Sequence, residues 1–174
     1  KSAMLEAGKY FLRKQNRSTG IHESEIIKIA IKSMGLDELG PFDPKNRIIE
    51  YMLDSDSDKK LIDMTLAEFT DETASESPAP GGGSISAYVG SLGISLATMV
   101  ANLSAHKRGW DDRWEEFSDW AEKGMAYQNT LLDLVDEDTN AFNKIMDAIR
   151  LPKDTDADKT KRQAAIQEAT KYAI

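Results

Sequence analysis

The chain has 174 residues, no cysteine, two histidines and a net charge of −8. The lack of cysteine excludes disulfides, thiolate metal sites and a cysteine nucleophile, and two histidines argue against a histidine-rich metal centre. The acidic charge argues against a nucleic-acid-binding scaffold, while 40% hydrophobic residues with few aromatic ones favour a helical domain with a real core.

The first third of the chain predicts short helices. Apolar residues among good helix formers predict one helix over 3–14 and another over 23–34, which Gly35 would end as a C-cap. Asp43-Pro44 is typical of a helix start, because aspartate caps the free amides and proline fits the first turn. We expect that helix to continue to residue 53.

Residues 54–64 have the composition of a charged linker. Their first part, Asp-Ser-Asp-Ser-Asp-Lys-Lys, has no apolar residue. The alternating aspartates resemble a calcium-binding loop, but the glycine and the final glutamate of such a loop are missing. Thr65 and Glu68 then form a capping box, which predicts a helix to about residue 74.

The most informative stretch begins with the Ser-Pro-Ala-Pro-Gly-Gly-Gly-Ser segment at 77–84, the glycine loop. Two prolines forbid helix there and three glycines free the backbone, whereas 85–105 carries no charged side chain. Small residues at helical spacing predict a helix that another backbone can approach closely. They are Gly83, Ala87, Ser91 and Ser95 in one row and Gly90, Gly93, Ala97 and Ala101 in the next.

Several classes of site compete for the glycine loop. A glycine loop that feeds a helix directs free amides and a partial positive charge at an anion or a polar ring. The lysine of a phosphate-binding P-loop is absent, and no apolar strand precedes Gly81 as a dinucleotide site requires. The following helix is long enough to cross a membrane, but seven Ser, Thr and Asn residues make it too polar, so we expect a soluble helix buried on most sides.

Cations follow this helix at Lys107 and Arg108. They could complement the negative end of the helix dipole, or they could clamp the carboxylates of an anionic substrate. From the sequence both interpretations stay open.

Residues 111–150 contain no proline and predict one long helix, with Gly124 as a candidate kink. Asp138 falls in the middle of its apolar stripe, where a carboxylate must be paired, hydrogen-bonded or protonated. It is therefore a candidate general acid or base, with a buried polar tie as the alternative. The stripe consists of Phe117, Trp120, Tyr127, Leu131, Leu134, Val135, Phe142, Ile145 and Ile149. On the opposite face Asp133, Asp136 and Asp147 are expected to be solvated.

After Pro152, Thr155 predicts the cap of a last helix, and no repeat or strand-like alternation occurs. The fold class is thus all-α: a helical bundle of long packed helices preceded by a short helical segment. Both ends of the chain fall within predicted helices, so we expect a piece of a longer protein. Without a signal peptide we expect it to be cytoplasmic, with no membrane segment and no metal.

Several of these stretches, in this order and spacing, resemble the formimidoyltetrahydrofolate cyclodeaminase family over about 61–174. They are the glycine loop, Lys107-Arg108, Val135-Asp136-Glu137-Asp138 with Ala141-Phe142, and Leu151-Pro152-Lys153. The N-terminal part resembles the end of the formiminotransferase domain that precedes the cyclodeaminase in the bifunctional enzyme. The residues are Gly35-Leu36-Asp37-Glu38-Leu39 and Pro41-Phe42 through Arg47-Ile48-Ile49-Glu50-Tyr51.

The resemblance implies closure of 5-formimidoyltetrahydrofolate to 5,10-methenyltetrahydrofolate with release of ammonia, in histidine degradation. One carboxyl group, Asp138, could move both protons of that reaction. The other expected contacts are Pro80, Gly81, Gly82, Gly83 and Ser84 with the polar groups of the folate, and Lys107, Arg108 and Lys153 with its polyglutamate tail. No cofactor beyond the folate is implied.

The implied organisation is a transferase tail at 1–53, a linker at 54–64 and the N-terminal part of a cyclodeaminase domain at 65–174. The family domain continues beyond Ile174, so the bundle is expected to be C-terminally incomplete and could be inactive alone. The family also implies a homo-oligomer, a dimer or higher. The alternatives are a methenyltetrahydrofolate cyclohydrolase and a non-catalytic module for folate binding or assembly.

Overall fold

The computed structural model of the chain describes residues 1–38, 40–53 and 60–173. All regular secondary structure in these ranges is helical, which confirms the all-α prediction. Short 3-10 helices lie at Leu61–Asp63 and Asp111–Arg113. The α-helices are α1 (Ser2–Lys14), α2 (Glu23–Ser33), α3 (Pro44–Arg47), α4 (Ile49–Leu53), α5 (Leu66–Thr73), α6 (Gly82–Ala105), α7 (Trp114–Arg150) and α8 (Asp156–Tyr172).

The start and stop signals act as predicted at most helix ends. Thr65 and Glu68 form the reciprocal capping box of α5, and Thr155 forms another with Asp158 at α8. Gly35 follows α2 with φ +66°, a conformation that favours glycine. The linker prediction at 54–64 falls mostly outside the described residues, and its described part includes the 3-10 helix Leu61–Asp63. The predicted domain boundaries remain predictions.

One predicted helix is divided in two. Residues 43–53 form α3 and α4, separated at Ile48, whose backbone is extended with φ −104° and ψ 116°. Ile48 is buried beside Ile27 and Ile31, so the break turns its side chain into the core. In contrast, α7 runs without interruption through Gly124, the candidate kink.

The chain consists of two compact units, which are described separately. The first comprises the described residues of 1–58 together with 91–129. The second comprises the described residues of 59–90 together with 130–174. The first unit thus holds α1 to α4 and the adjoining parts of α6 and α7, and the second holds α5, α8 and the remaining parts of α6 and α7.

In the first unit the turn between α1 and α2 is buried, although the sequence predicted only a turn. Ser18 Oγ donates to Asn102 Oδ1 at 2.5 Å, and Asn102 Nδ2 donates to the carbonyl of Gly20 at 2.7 Å. The backbone amide of Thr19 donates to Ser118 Oγ at 3.1 Å. Side chains of α6 and α7 therefore satisfy backbone and hydroxyl groups that burial would otherwise leave without water.

The helices α6 and α7 pack through small residues. In the first unit a Cβ atom on Gly124 would lie 2.0 Å from Thr98 Oγ1, so only glycine permits this approach. In the second unit Ser84 of α6 is fully buried, and its hydroxyl oxygen lies 2.9 Å from the backbone carbonyl oxygen of Val135 in α7. The predicted close approach of another backbone to α6 is thus observed.

The expectation that α6 is buried on most sides is wrong for this chain. Some of its small residues are buried, namely Ser84, Ser91, Thr98, Ala101 and Ala105, whereas Gly93 and Ala97 of the predicted rows are exposed. Its larger apolar residues are mostly exposed: Val89, Leu92, Leu96, Met99, Val100 and Leu103. The predicted apolar stripe of α7 is also largely uncovered. Its exposed members are Trp120, Tyr127, Leu134, Phe142 and Ile149.

By length and composition α6 is the one helix of the described chain that could cross a membrane, and only 17% of its most apolar window is buried. Core helices of soluble proteins meet the same criteria, so the absence of a membrane segment remains a prediction.

Glu122 of α7 forms an ion pair with Lys9 of α1 at 2.8 Å and lies 3.7 Å from Arg13. Burial opposes ionisation of this carboxyl group, but hydrogen bonds from Lys9 and Thr19 and the two positive charges outweigh it. The pKa of Glu122 is therefore below its ordinary value of 4.5.

A folded-state pKa below the unfolded value means that Glu122 stabilises the fold above pH 4.5 and loses this effect as pH falls through the lower value. We expect the unfolding free energy to decrease below pH 4.5 more steeply in the wild type than in Glu122→Gln. Urea denaturation between about pH 3 and 7 measures both curves. If the unfolding free energies of the wild type and Glu122→Gln changed in parallel with pH, the ion pair of Glu122 would not contribute to stability.

Candidate functional site

The glycine loop leads into α6, whose first amides have no acceptor within the helix itself. Pro80 is buried, and Gly81 occupies the N-cap position, since its carbonyl accepts the first helical hydrogen bond from Ile85 at 3.1 Å. A glycine cap has no side chain to accept from the amide three residues later, which is that of Ser84. The sequence therefore leaves a helix N-terminus that needs an acceptor from elsewhere.

Asp138 of α7 supplies that acceptor. Its Oδ2 accepts from the Ser84 backbone amide at 2.9 Å and lies 2.9 Å from the Ser84 hydroxyl. The hydroxyl has one proton and also lies 2.9 Å from the Val135 carbonyl, but a carboxylate is the stronger acceptor. These donors and the positive end of α6 stabilise the negative charge of Asp138 and fix its orientation.

Gly83 allows the carboxylate to approach the backbone. A Cβ atom on Gly83 would lie 2.2 Å from Asp138 Oδ1, and one on Gly81 would lie 3.5 Å from Oδ2. Around Gly82 nothing in the described structure lies within 4 Å of such a Cβ atom. The three glycines thus differ, and Gly83 is the one whose missing side chain makes room for Asp138.

A cavity of about 630 Å³ lies beside this contact, within the second unit. Gly83, Glu137 and Asp138 contribute polar or backbone surface to it, and α8 contributes Tyr172. The apolar walls include Leu131, Leu134, Phe142 and Ile145. Its size and its few convergent polar groups are typical of pockets for small organic ligands.

Sequence reasoning missed Glu137 and Tyr172. Glu137 lies about 100° from Asp138 on the helical wheel, off the apolar stripe, and Tyr172 lies on a different helix. In the structure the Tyr172 hydroxyl donates to Glu137 Oε1, so α8 contacts α7 next to Asp138. No signal in the sequence pairs these two residues.

The expectation that Asp136 is simply solvated is wrong. Its Oδ1 accepts from the backbone amide of Leu61 at 2.7 Å, and the side chain is partly buried. The amide belongs to the start of a 3-10 helix, where it has no partner within its own turn. Asp133 and Asp147 are exposed, as predicted.

The predicted tail-binding cations lie elsewhere along the chain. Lys107 and Arg108 belong to the first unit and follow the last residue of α6, whereas the glycine loop precedes its first. The Lys107 ammonium lies 4.6 Å from the centre of the Trp110 ring. Lys153 is exposed in the second unit. The residues that the structure brings together are Asp138, Gly81, Gly83 and Ser84.

In the part of the chain that the structure describes, no three His, Asp or Glu side chains converge as a metal site would require. The predicted absence of metals and of cofactors beyond a folate is not tested by this geometry.

Comparison with known families covers nearly the whole chain. Residues 65–174 match the family described as formiminotransferase-cyclodeaminase, and residues 1–54 match the family described as formiminotransferase domain.

Individual relatives agree with these matches. The chain is 36% identical over 173 residues to the formimidoyltransferase-cyclodeaminase of Mus musculus, and 34% identical over 175 residues to that of Gallus gallus. These alignments cover 99% and 100% of this chain and 32% of each relative. A methenyltetrahydrofolate cyclohydrolase of Methylorubrum extorquens is 38% identical over 109 residues, which is 63% of this chain and 52% of that protein.

The chain thus spans about a third of the length of the formimidoyltransferase-cyclodeaminases that it matches. The family match to 65–174 covers well over half of the chain and contains the glycine loop, Asp138 and the cavity beside them. The chain therefore belongs to the formiminotransferase-cyclodeaminase family.

Proposed function

We propose that this chain supplies the acid–base group and the ring pocket of a formimidoyltetrahydrofolate cyclodeaminase. The observation that carries the proposal is the position of Asp138: its carboxylate is held by Ser84, beside Gly83, in the wall of a cavity with apolar sides. The name of one relative, a methenyltetrahydrofolate cyclohydrolase, supports a folate as the ligand. A pterin is flat and mostly apolar on its faces, which suits walls such as Leu131 and Phe142.

The proposed reaction requires one proton to move between two nitrogens. N10 of the folate attacks the carbon of the protonated formimidoyl group (N5–CH=NH2⁺) and loses its proton, and the bond from that carbon to the terminal nitrogen breaks. The departing nitrogen gains a proton and leaves as ammonia. Asp138 accepts the proton from N10 and returns it to the departing nitrogen. Its negative charge also stabilises the cationic methenyl product.

Ser84 and Gly83 have positioning roles in this proposal. Two hydrogen bonds to Oδ2 fix the carboxylate, while Oδ1 has no hydrogen-bond donor among the described contacts and is available to the substrate. Pro80, Gly81 and Gly82 keep the proposed role of backbone contacts to the polar groups of the folate.

A second candidate is the methenyltetrahydrofolate cyclohydrolase reaction, because a relative with that name aligns with 63% of this chain. Asp138 would then accept a proton from water that attacks the methenyl carbon. The products distinguish the two reactions, since cyclodeaminase activity releases ammonia and cyclohydrolase activity forms a formyl group. Folate binding without either product would indicate the non-catalytic module instead.

Three further proposals concern the folate tail, the assembly and the cellular location of the protein. Lys107, Arg108 and Lys153 would bind the carboxylates of a polyglutamate tail, because all three are exposed cations in an acidic chain. The uncovered apolar residues of α6 support a homo-oligomer. The protein would act in the cytoplasm on folates made by histidine degradation.

We expect Asp138→Asn to lower the rate of methenyl formation by about 10² to 10⁴, the usual contribution of general acid–base catalysis. Affinity for 5-formyltetrahydrofolate, a stable analogue of the substrate, should change by only a few fold, because asparagine retains the shape of the side chain. Absorbance of the methenyl product, ammonia release and calorimetric binding measure these quantities.

The matched control for this variant is Asp133→Asn, which removes the same charge from an exposed position of α7. It should leave rate and affinity unchanged. Normal turnover by Asp138→Asn would contradict the proposed role. The wild-type chain could also bind 5-formyltetrahydrofolate but convert neither 5-formimidoyltetrahydrofolate nor 5,10-methenyltetrahydrofolate. In that case the enzymatic proposal is wrong and the non-catalytic binding module is supported.

A second prediction uses the difference between neighbouring glycines. Gly83→Ala places a Cβ atom 2.2 Å from Asp138 Oδ1, so the carboxylate must move and its bonds to Ser84 must weaken. Gly82→Ala meets nothing within 4 Å among the described atoms. We expect at least a tenfold loss of turnover in Gly83→Ala, and a smaller loss in Gly82→Ala, which leaves the Asp138 carboxylate in place. Thermal unfolding should show both variants folded, because alanine suits a helix better than glycine by about 1 kcal/mol. Equal activity of the two variants would contradict this geometry.

A further inference from the structure

The cavity beside Asp138 contains a second carboxylate whose role the reaction does not explain. Glu137 lines the cavity together with Asp138 and Tyr172. Proton transfer between two nitrogens needs one group, and Asp138 is the one fixed at the helix N-terminus. Glu137 is half-buried in the wall of this pocket, so a donor on a bound ligand would replace water that the ligand displaces from its carboxylate.

The carboxylate of Glu137 is held in place by two hydrogen bonds, but not all of its acceptor positions are used. Its Oε1 accepts from the hydroxyl of Tyr172, and its Oε2 accepts from Asn140 Nδ2 at a long 3.3 Å. A carboxylate has about four acceptor positions, so at least two remain available. Tyr172 is therefore a positioning residue, which anchors one oxygen and leaves the rest of the carboxylate for a ligand.

The ring of a folate presents a complementary group. Its aminopyrimidinone edge has an N–H and an adjacent amino group, two parallel donors like those of a guanidinium fork. Such a pair binds a carboxylate through two hydrogen bonds. The apolar residues Leu134 and Ile145 line the same cavity and could contact the ring faces while the polar edge is bound.

We propose that Glu137 is the residue that recognises the aminopyrimidinone edge of the pterin, with Tyr172 holding its carboxylate in position. This inference rests on the proposed function, because it assigns the ligand of the same cavity. It divides the two neighbouring acids by role: Glu137 selects and orients the ring, and Asp138 moves the proton.

The experiment compares binding of two ligands by the 174-residue chain. One is 5-formyltetrahydrofolate, and the other is its analogue in which a methyl group replaces the 2-amino group. Glu137→Gln should bind the first ligand about 10- to 100-fold more weakly, because the glutamine amide cannot accept from two donors and one of its own donors faces a donor. Binding of the analogue, which has already lost one of those donors, should change less than about threefold.

Two further variants separate recognition from structure. Asp133→Asn removes an equal charge from an exposed part of α7 and should not alter the ratio of the two affinities. Tyr172→Phe removes the anchoring hydroxyl and should lower the ratio less than Glu137→Gln does. Thermal unfolding of each variant shows whether the chain remains folded.

The outcomes distinguish this inference from the proposed function. If the wild type prefers the amino ligand and Glu137→Gln abolishes the preference, the inference is supported. If the wild type binds and converts folates but Glu137→Gln weakens both ligands equally, or neither, the inference is overturned and the proposed function stands. If the wild type binds neither ligand and converts no folate, both are overturned.

Discussion

The structure depends on one interaction between two helices. Asp138 Oδ2 in α7 accepts hydrogen bonds from the backbone amide and the hydroxyl of Ser84 in α6. The glycine at the N-cap of α6 cannot satisfy the first turn of its own helix, and a carboxylate from the middle of α7 performs that task. An N-cap bond of this kind is worth about 1 kcal/mol, and a bond to a charged group more. The same bonds that stabilise the start of α6 hold the carboxylate of the proposed acid–base group at the wall of a cavity.

This arrangement requires small residues along the contact. Gly83 leaves space for the carboxylate, Ser84 is fully buried, and Gly124 lets Thr98 approach in the first unit. The larger apolar side chains of α6 are mostly exposed. A face that carries Leu96 and Leu103 in contact with solvent is unfavourable by about 25 cal/mol for each Å² of apolar surface. Its cover by further protein would remove this cost, which agrees with the proposed oligomer.

The sequence was sufficient to predict most helices and the position of Asp138 among apolar residues. Those predictions use local signals, such as the capping box at Thr65 and the 3.6-residue period of α7. The helical wheel of α7 could not show that Asp138 faces the glycine loop, because this contact depends on how α6 and α7 pair. The family resemblance placed both features in one domain without giving their contact.

The remaining differences have the same origin in tertiary contacts. Asp136 was expected in solvent but accepts from Leu61, a partner 75 positions away. The break at Ile48 follows from burial of its side chain and not from any breaker residue. Glu137 was not selected because its wheel position lies off the apolar stripe, and Tyr172 reaches it from α8. Periodicity describes one helix at a time, so each of these contacts required the structure.

The most direct test of the central claim is the coupling energy between Ser84 and Asp138. Unfolding free energies of the wild type, Ser84→Ala, Asp138→Ala and the double variant, measured in urea at pH 7, give this energy. The account predicts a coupling of about 1 to 2 kcal/mol, because each single variant removes the same charged hydrogen bond. Additive effects within about 0.3 kcal/mol would contradict it, since they would show that the two side chains do not interact.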